Sequence, residues 1–288
     1  MNKSYKGIIY VFISAVLLST SGLFIKKIQA DPLSIASLRS VIAGLTLLPF
    51  LKIKEIKLKS LAWGYAIAYT LMISTFIIAN KLTSSANVIA LQYTGSLYLY
   101  IYSLLRKKIK VQWSNVLPMF FIVLGIFSFL LEPSKGSSFL GNLLAICSGI
   151  ALAAMFELLP KIKDVSPNSL VCISNLSAAV LTFPFIPSYR DILNISFNGW
   201  IALLYLGCVQ VALAYVLNAK GVQLTNSLQA MIIAMFEAVM NPIWVFVFIG
   251  EVPTIYGFTG AVLILGAVLV NIILQNRNQK EDTLYKNI

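Results

Sequence analysis

The chain has 288 residues, 59% of them hydrophobic and 11% charged, with 22 basic and 10 acidic side chains and a formal charge of +12. Soluble domains carry about 25% charged residues, so a water-soluble core is excluded; at roughly 20 apolar residues per transmembrane helix, ten spans use about 200 positions and leave no room for a separate soluble domain. The absence of histidine removes imidazole-based triads, haem ligation through imidazole and most zinc sites, and no cofactor is expected.

Apolar runs fall at about residues 7–25, 33–51, 61–80, 84–105, 113–131, 139–160, 167–187, 198–219, 226–249 and 254–274. The first follows Lys3 and Lys6 but has no small-residue cleavage pattern, so it reads as a retained helix. Its polar stretch, Ser14, Ser19, Thr20 and Ser21, suits either a cavity lining or close helix packing. The second opens on Pro32, which is tolerated at a helix start because its missing N–H would be unpaired there anyway. Arg39 lies about two turns inside it, placed to contact a substrate carboxylate or to snorkel outward.

The fourth run carries Gln92, Tyr93 and Thr94 deep within it, followed by Tyr98, Tyr100 and Tyr102. At about 100° per residue, Gln92 and Tyr93 are not expected to share one narrow helix face. Tyr100 and Tyr102 fit an interfacial belt. Between the fifth and sixth runs, EPSKGSS (Glu132–Ser138) combines proline, glycine, serine and charge and is the best internal boundary. It divides the chain into 1–131, a connection at 132–138, 139–275 and a tail at 276–288.

Glu157, four residues before Lys161 at the end of the sixth run, predicts an i,i+4 ion pair. In the ninth run Glu237 sits near the middle, where an ionisable side chain costs about 2.5 kcal/mol or more. It reads either as a cavity-facing carboxylate that binds a proton or a cationic group, or as a structural hydrogen-bond partner. Asn241 and Pro242 follow a turn later; proline removes a helical hydrogen bond, which predicts either a local break that exposes carbonyls to a cavity or a packing kink away from it. Glu251, beside Gly250, is expected to cap the following turn. Gly257, Gly260 and Gly266 in the last run read as packing positions. Cys147, Cys172 and Cys208 each stand alone in an apolar run and read as packing residues.

With both termini in the cytoplasm, 16 of the 22 basic residues lie on that side, as the positive-inside rule requires. The charge therefore signals topology, and no nucleic-acid partner is expected. Five spans per half force the second half to enter the membrane upside down, so repeats, if present, are inverted. Weak self-similarity supports them: NKLTSSANVIALQYTGS (Asn80–Ser96) parallels KGVQLTNSLQAMIIAMFEA (Lys220–Ala238), each half opens on a glycine-led helix at Gly7 or Gly141, and each second helix begins at Pro32 or Pro167.

With Lys26 and Lys27 closing the first span, DPLSIASLR around Pro32 and Arg39, TSSANVIALQYT (Thr83–Thr94), and AMFEAVMNPIWVFVFIGE (Ala234–Glu251), nearly the whole chain resembles the EamA branch of the drug/metabolite transporter superfamily. The resemblance implies an all-α integral membrane protein of ten transmembrane helices in two inverted five-helix repeats, with a central substrate cavity. Two departures stand out: Gly95 replaces the proline usual after QYT, and Ala238 replaces the proline that commonly follows the helix-nine glutamate. Both weaken the expectation of kinks in helices four and nine.

The expected function is secondary transport of a small polar metabolite by alternating access, as an exporter of an amino acid or a related compound across the cell membrane. An organic-cation transporter is the alternative, and a membrane enzyme acting on lipid substrates a distant one. The chain lacks a P-loop pattern, so a gradient would drive it. Glu237, Asn241, Gln92, Tyr93, Tyr98, Arg39 and Ser19 are the expected substrate or coupling residues, with Pro242, Gly95 and Glu251 as hinge or structural positions. Expected partners are the substrate, the bilayer, a proton or counter-substrate, and a second copy of the chain.

Overall fold

The computed structural model describes residues 3–52, 54, 60–83, 85–106, 111–131, 138–249 and 255–286. The expected roles of Glu251 and of the connection 132–137 lie outside the described residues. Described residues form helices and no strands, in the order α1 (Lys3–Leu18), α2 (Ser21–Lys27), α3 (Pro32–Leu47), α4 (Ser60–Leu82), α5 (Ser85–Gln92), α6 (Gly95–Leu105), α7 (Trp113–Leu130) and α8 (Phe139–Leu158), then α9 (Pro167–Thr182), α10 (Arg190–Leu193), α11 (Phe197–Tyr205), α12 (Ala214–Leu224), α13 (Ser227–Ala234), α14 (Phe236–Ile249) and α15 (Ile255–Lys286). Among the described residues nine stretches are long and apolar enough to cross a membrane, and the fifth expected span appears as a shorter apolar helix, Trp113–Ser128.

The polarity is that of a multi-pass membrane protein. Trp113, Phe127, Phe139, Val180 and Phe258 are exposed, whereas Ser14, Ser34, Ser148 and Asn175 are buried. Lipid offers no hydrogen bonds, so polar groups turn inward to find partners.

Helices pair across the two halves: α1 lies along α12, α8 along α4, α3 along α9 and α7 along α15. First packs on third in both directions, second on second and fifth on fifth, the pattern of two exchanged repeats. The same small contacts recur in each pairing. Ser14 Oγ on α1 donates to the Ala214 carbonyl at 2.8 Å, and Ser148 Oγ on α8 donates to the Met72 carbonyl at 3.0 Å. A Cβ on Gly7 would come within 2.9 Å of the Gly221 carbonyl oxygen, and one on Gly141 within 2.9 Å of Leu82 Cβ. Lys81 Nζ caps the Ile28 carbonyl at 2.7 Å, and Gln223 Nε2 caps that of Ile162 at 3.2 Å. Both proline-led helices are capped by the preceding side chain, Asp31 for α3 and Ser166 for α9.

Four spans are interrupted: between α1 and α2 at Ser19 and Thr20, between α5 and α6 at Tyr93 and Thr94, between α13 and α14 at Met235, and in the eighth span by a π-helical stretch, Leu206–Leu213. Helices four and nine break although Gly95 and Ala238 stand where the resemblance implies prolines. In the fourth, Ser96 N–H bonds the Tyr93 carbonyl at 3.0 Å; in the ninth, Ala238 N–H bonds the Met235 carbonyl at 2.9 Å. Each bond spans three residues, not four, and so releases a carbonyl, that of Gln92 or of Ala234, from the helical ladder. Hydroxyls bend the fourth helix: Thr94 Oγ1 donates to Leu91 O at 2.7 Å and Ser96 Oγ to Tyr93 O at 2.8 Å, and such back-bonding competes with the backbone. The break expected at Pro242 is absent; α14 runs through it and the interruption falls at Met235.

Glycines mark the close crossings. A Cβ on Gly95 would overlap the Gly149 carbonyl oxygen and lie 2.8 Å from Met231 Cε, so the fourth and sixth spans touch backbone to backbone. Gly125 meets the Gly260 carbonyl where α7 crosses α15. Gly266 is not a packing position: a Cβ there meets nothing within 4 Å. Cys172 is buried at the α3–α9 crossing, its thiol 3.4 Å from the Gly44 carbonyl, while Cys147 is exposed.

Candidate functional site

A narrow cavity opens between the halves, and each half contributes polar groups to it. Arg39, Tyr65, Gln92 and Tyr93 come from the first half, and Gln210, Tyr215, Asn218 and Glu237 from the second. Met72, Phe76, Leu152, Met155 and Phe156 form an apolar wall. The centre of a water molecule has ≈ 30 Å³ of freedom inside, so a solute the size of an amino acid needs the walls to part.

Glu237 follows directly on the break at Met235 and is 6% exposed. Tyr93 Oη lies 2.8 Å from Glu237 Oε2 and 2.7 Å from the Ala234 carbonyl that the break releases. A side chain of the fourth span thus supplies the donor that the ninth span's own backbone has lost. Insertion of a side chain into the helical ladder is a recognised cause of helix breaks.

Gln92 and Tyr93 both line the cavity, against the expectation from helical periodicity. That rule assumes an unbroken helix; α5 ends at Gln92, and the turn of the chain there brings adjacent residues to one side. Gln92 Nε2 donates to Ser148 Oγ at 2.7 Å, which itself bonds Met72, so this side chain also ties three spans together. The carbonyl released at Gln92 rests against Gly149, where a Cβ would collide with it.

Arg39 does not snorkel; it is 2% exposed and faces the cavity. Its Nε and Nη1 have no hydrogen-bond partner. Around it stand Tyr69, Tyr215 and, across the cavity, the opposite charge of Glu237. Tyr69 Oη is committed to Asn175 Oδ1 at 2.7 Å, and Tyr215 Oη points to Met72 Sδ at 3.7 Å. The two rings meet edge to face, 5.2 Å between centroids.

Ser19 and Asn241 do not line this space but join each other. Asn241 Nδ2 donates to the Ser19 carbonyl at 3.1 Å and Trp244 Nε1 to Ser19 Oγ at 2.7 Å, which holds the break of the first span against the ninth. Tyr98 is exposed on the outer surface. Glu157 pairs with Lys161 at 2.6 Å as expected.

Sequence reasoning missed Tyr65, Tyr69, Gln210, Tyr215 and Asn218. A signal existed for the first group: Tyr65, Tyr69, Met72 and Phe76 follow the i, i+4, i+7, i+11 spacing of one helix face. Gln210 sits in the π-helical stretch, with Nε2 toward the Leu18 carbonyl at 3.4 Å and Oε1 unpartnered; such bulges collect at functional sites.

The two halves of the chain, residues 5–131 and 139–273, each match the EamA-like transporter family. The chain belongs to the EamA-like transporter family. Among its relatives, an uncharacterized transporter of Archaeoglobus fulgidus is 26% identical over 264 residues, covering 90% of this chain and 94% of the relative. An uncharacterized transporter of Clostridium kluyveri is 22% identical over 304 residues, covering 98% and 96%. A solved crystal structure aligns with a TM-score of 0.75 at 16% identity over 93% of this chain and 98% of the other, a likeness of fold alone. The EamA-like core is thus a ten-helix membrane fold whose two matched halves meet at the Arg39–Glu237 cavity.

Proposed function

We propose that this EamA-like transporter is a secondary active carrier that moves an amino acid or a related small polar metabolite across the cell membrane by alternating access. The observation that carries the reading is one cavity at the meeting of the two halves, with a buried cation from the first half, Arg39, and a buried anion from the second, Glu237. Rocking of two repeats around a fixed central site is the general mode of carriers built this way. The broken helices around the cavity supply the irregular backbone that such a site requires. The distribution of basic residues supports cytoplasmic termini.

An organic-cation carrier is the second reading, supported by Glu237 and the tyrosines Tyr65, Tyr93 and Tyr215 on the cavity wall. Aromatic rings and a carboxylate suit a quaternary amine, but Arg39 in the same space repels it. Counterflow in proteoliposomes decides between them. Labelled amino acids are expected to exchange and quaternary amines are not; the reverse result overturns the amino-acid reading, and absence of any exchange overturns transport.

A further inference from the structure

We propose that Arg39 is a carboxylate-binding subsite and that the cavity is built for a zwitterion with an apolar side chain. The proposal rests on the transport reading above and narrows it to one substrate class. Arg39 is 2% exposed, faces the cavity and leaves Nε and Nη1 without any acceptor. A guanidinium presents a planar fork of donors that matches a carboxylate in bidentate fashion. Among the described residues no acceptor meets Nε or Nη1 of Arg39. Tyr69, beside it, has given its hydroxyl to Asn175 at 2.7 Å, and Glu237 is engaged by Tyr93 at 2.8 Å.

Charge balance selects the rest of the ligand. With Glu237 ionised, the cavity holds one cation and one anion, Arg39 and Glu237. In a low-dielectric space a solute with a net charge adds an uncompensated ion, whereas a zwitterion sets a carboxylate on Arg39 and an ammonium on Glu237 and adds none. A phosphate dianion would bring two negative charges to a single guanidinium. Beyond Arg39 and Glu237 the wall carries no charge; Met72, Phe76, Leu152, Met155 and Phe156 give it an apolar side, beside the neutral amides of Gln92, Gln210 and Asn218. An amino acid with an aliphatic or similarly apolar side chain satisfies all three surfaces.

The halves differ at this point in a telling way. The position of Arg39, seven residues after Pro32, corresponds to Ser174, seven residues after Pro167. Ser174 is buried with its hydroxyl unpartnered, so the repeat supplies no second cation. The cavity has one anion subsite, and the ligand has one orientation.

The test uses the full-length protein in detergent and the thermal shift produced by L-leucine, L-leucinamide, 4-methylpentanoate and inorganic phosphate. L-leucine is expected to raise the unfolding temperature; L-leucinamide, which lacks the carboxylate, is expected to bind at least about tenfold more weakly, the loss of charged hydrogen bonds. Inorganic phosphate is expected to give no shift, and 4-methylpentanoate, which lacks the ammonium, a smaller shift than L-leucine. Arg39→Gln is expected to remove the L-leucine shift and Arg39→Lys to restore part of it. Equal shifts from L-leucine and L-leucinamide, a shift from inorganic phosphate as large as that from L-leucine, or no shift from L-leucine, each overturn the assignment. Counterflow of any other solute by the same preparation would then show that transport stands and only the subsite has failed.

Discussion

The hydroxyl of Tyr93 has one proton and two acceptors within reach, Glu237 Oε2 at 2.8 Å and the Ala234 carbonyl at 2.7 Å. An ionised Glu237 draws that proton and leaves the Ala234 carbonyl unpaired beside a helix break. A protonated Glu237 donates its own proton to Tyr93 Oη, which then donates to Ala234, and every group is satisfied. The protonation of one carboxyl is therefore read directly by the backbone of the ninth span, since a buried carbonyl without a donor is unfavourable.

Glu237→Gln locks the neutral form, because its amide donates to Tyr93 as the protonated acid does. Gradient-driven transport is expected to be lost while the fold persists, with an unfolding temperature near that of the parent. Unchanged uphill transport in proteoliposomes across a pH gradient would show that Glu237 is only a structural partner.

Tyr93→Phe removes the donor from both acceptors at once. A loss of stability of about 1–3 kcal/mol is expected, the cost of a buried polar group left unpaired. Thermal unfolding of the purified protein measures it. A variant as stable as the parent would mean that the break at Met235 does not depend on the fourth span.

Arg39→Met removes a buried guanidinium whose Nε and Nη1 have no partner. A buried guanidinium is costly to desolvate, and its removal takes no hydrogen bond from Nε or Nη1; the opposing effect is the lost attraction to Glu237 across the cavity. The ligand-free variant is expected to unfold at or above the parent temperature and to lose transport. A large destabilisation would place Arg39 in the scaffold instead of the site.

Gly95→Ala and Gly266→Ala are expected to part company. The first places a methyl into the Gly149 carbonyl, so the fourth and sixth spans must separate; the second meets nothing within 4 Å. Overpacking costs about 1–3 kcal/mol, whereas alanine for glycine in a helix interior gains up to about 1 kcal/mol. Opposite shifts in unfolding temperature are the expected readout, and a shared direction would contradict the crossing at Gly149.

The scaffold obeys the repeat and the chemistry departs from it. Ser14 and Ser148, Gly7 and Gly141, and Lys81 and Gln223 perform matching tasks in the two halves. Arg39 and Glu237 have no charged counterparts: Ser174 stands in for the first, and Gly95, two residues past the Tyr93 break as Glu237 is past Met235, for the second. Symmetric residues were legible as a weak echo in the chain, since packing demands recur wherever the same crossing recurs. Glu237 was legible because a charge in an apolar run needs a reason.

From the chain alone come the number and place of the spans, the two-half organisation and a carboxyl group in mid-span, Glu237. Each follows from hydropathy and charge, properties that a stretch of chain carries whatever its neighbours are. Tertiary structure decided where the helices break, that Gln92 and Tyr93 share a cavity, that Arg39 points inward without a partner, and that Ser19 and Asn241 bind each other. These depend on groups distant in the chain. The ninth helix breaks beside a hydroxyl from the fourth, and whether Arg39 is satisfied depends on the commitments of Tyr69, Tyr215 and Glu237. Helical periodicity contains no information about a donor that arrives from another helix.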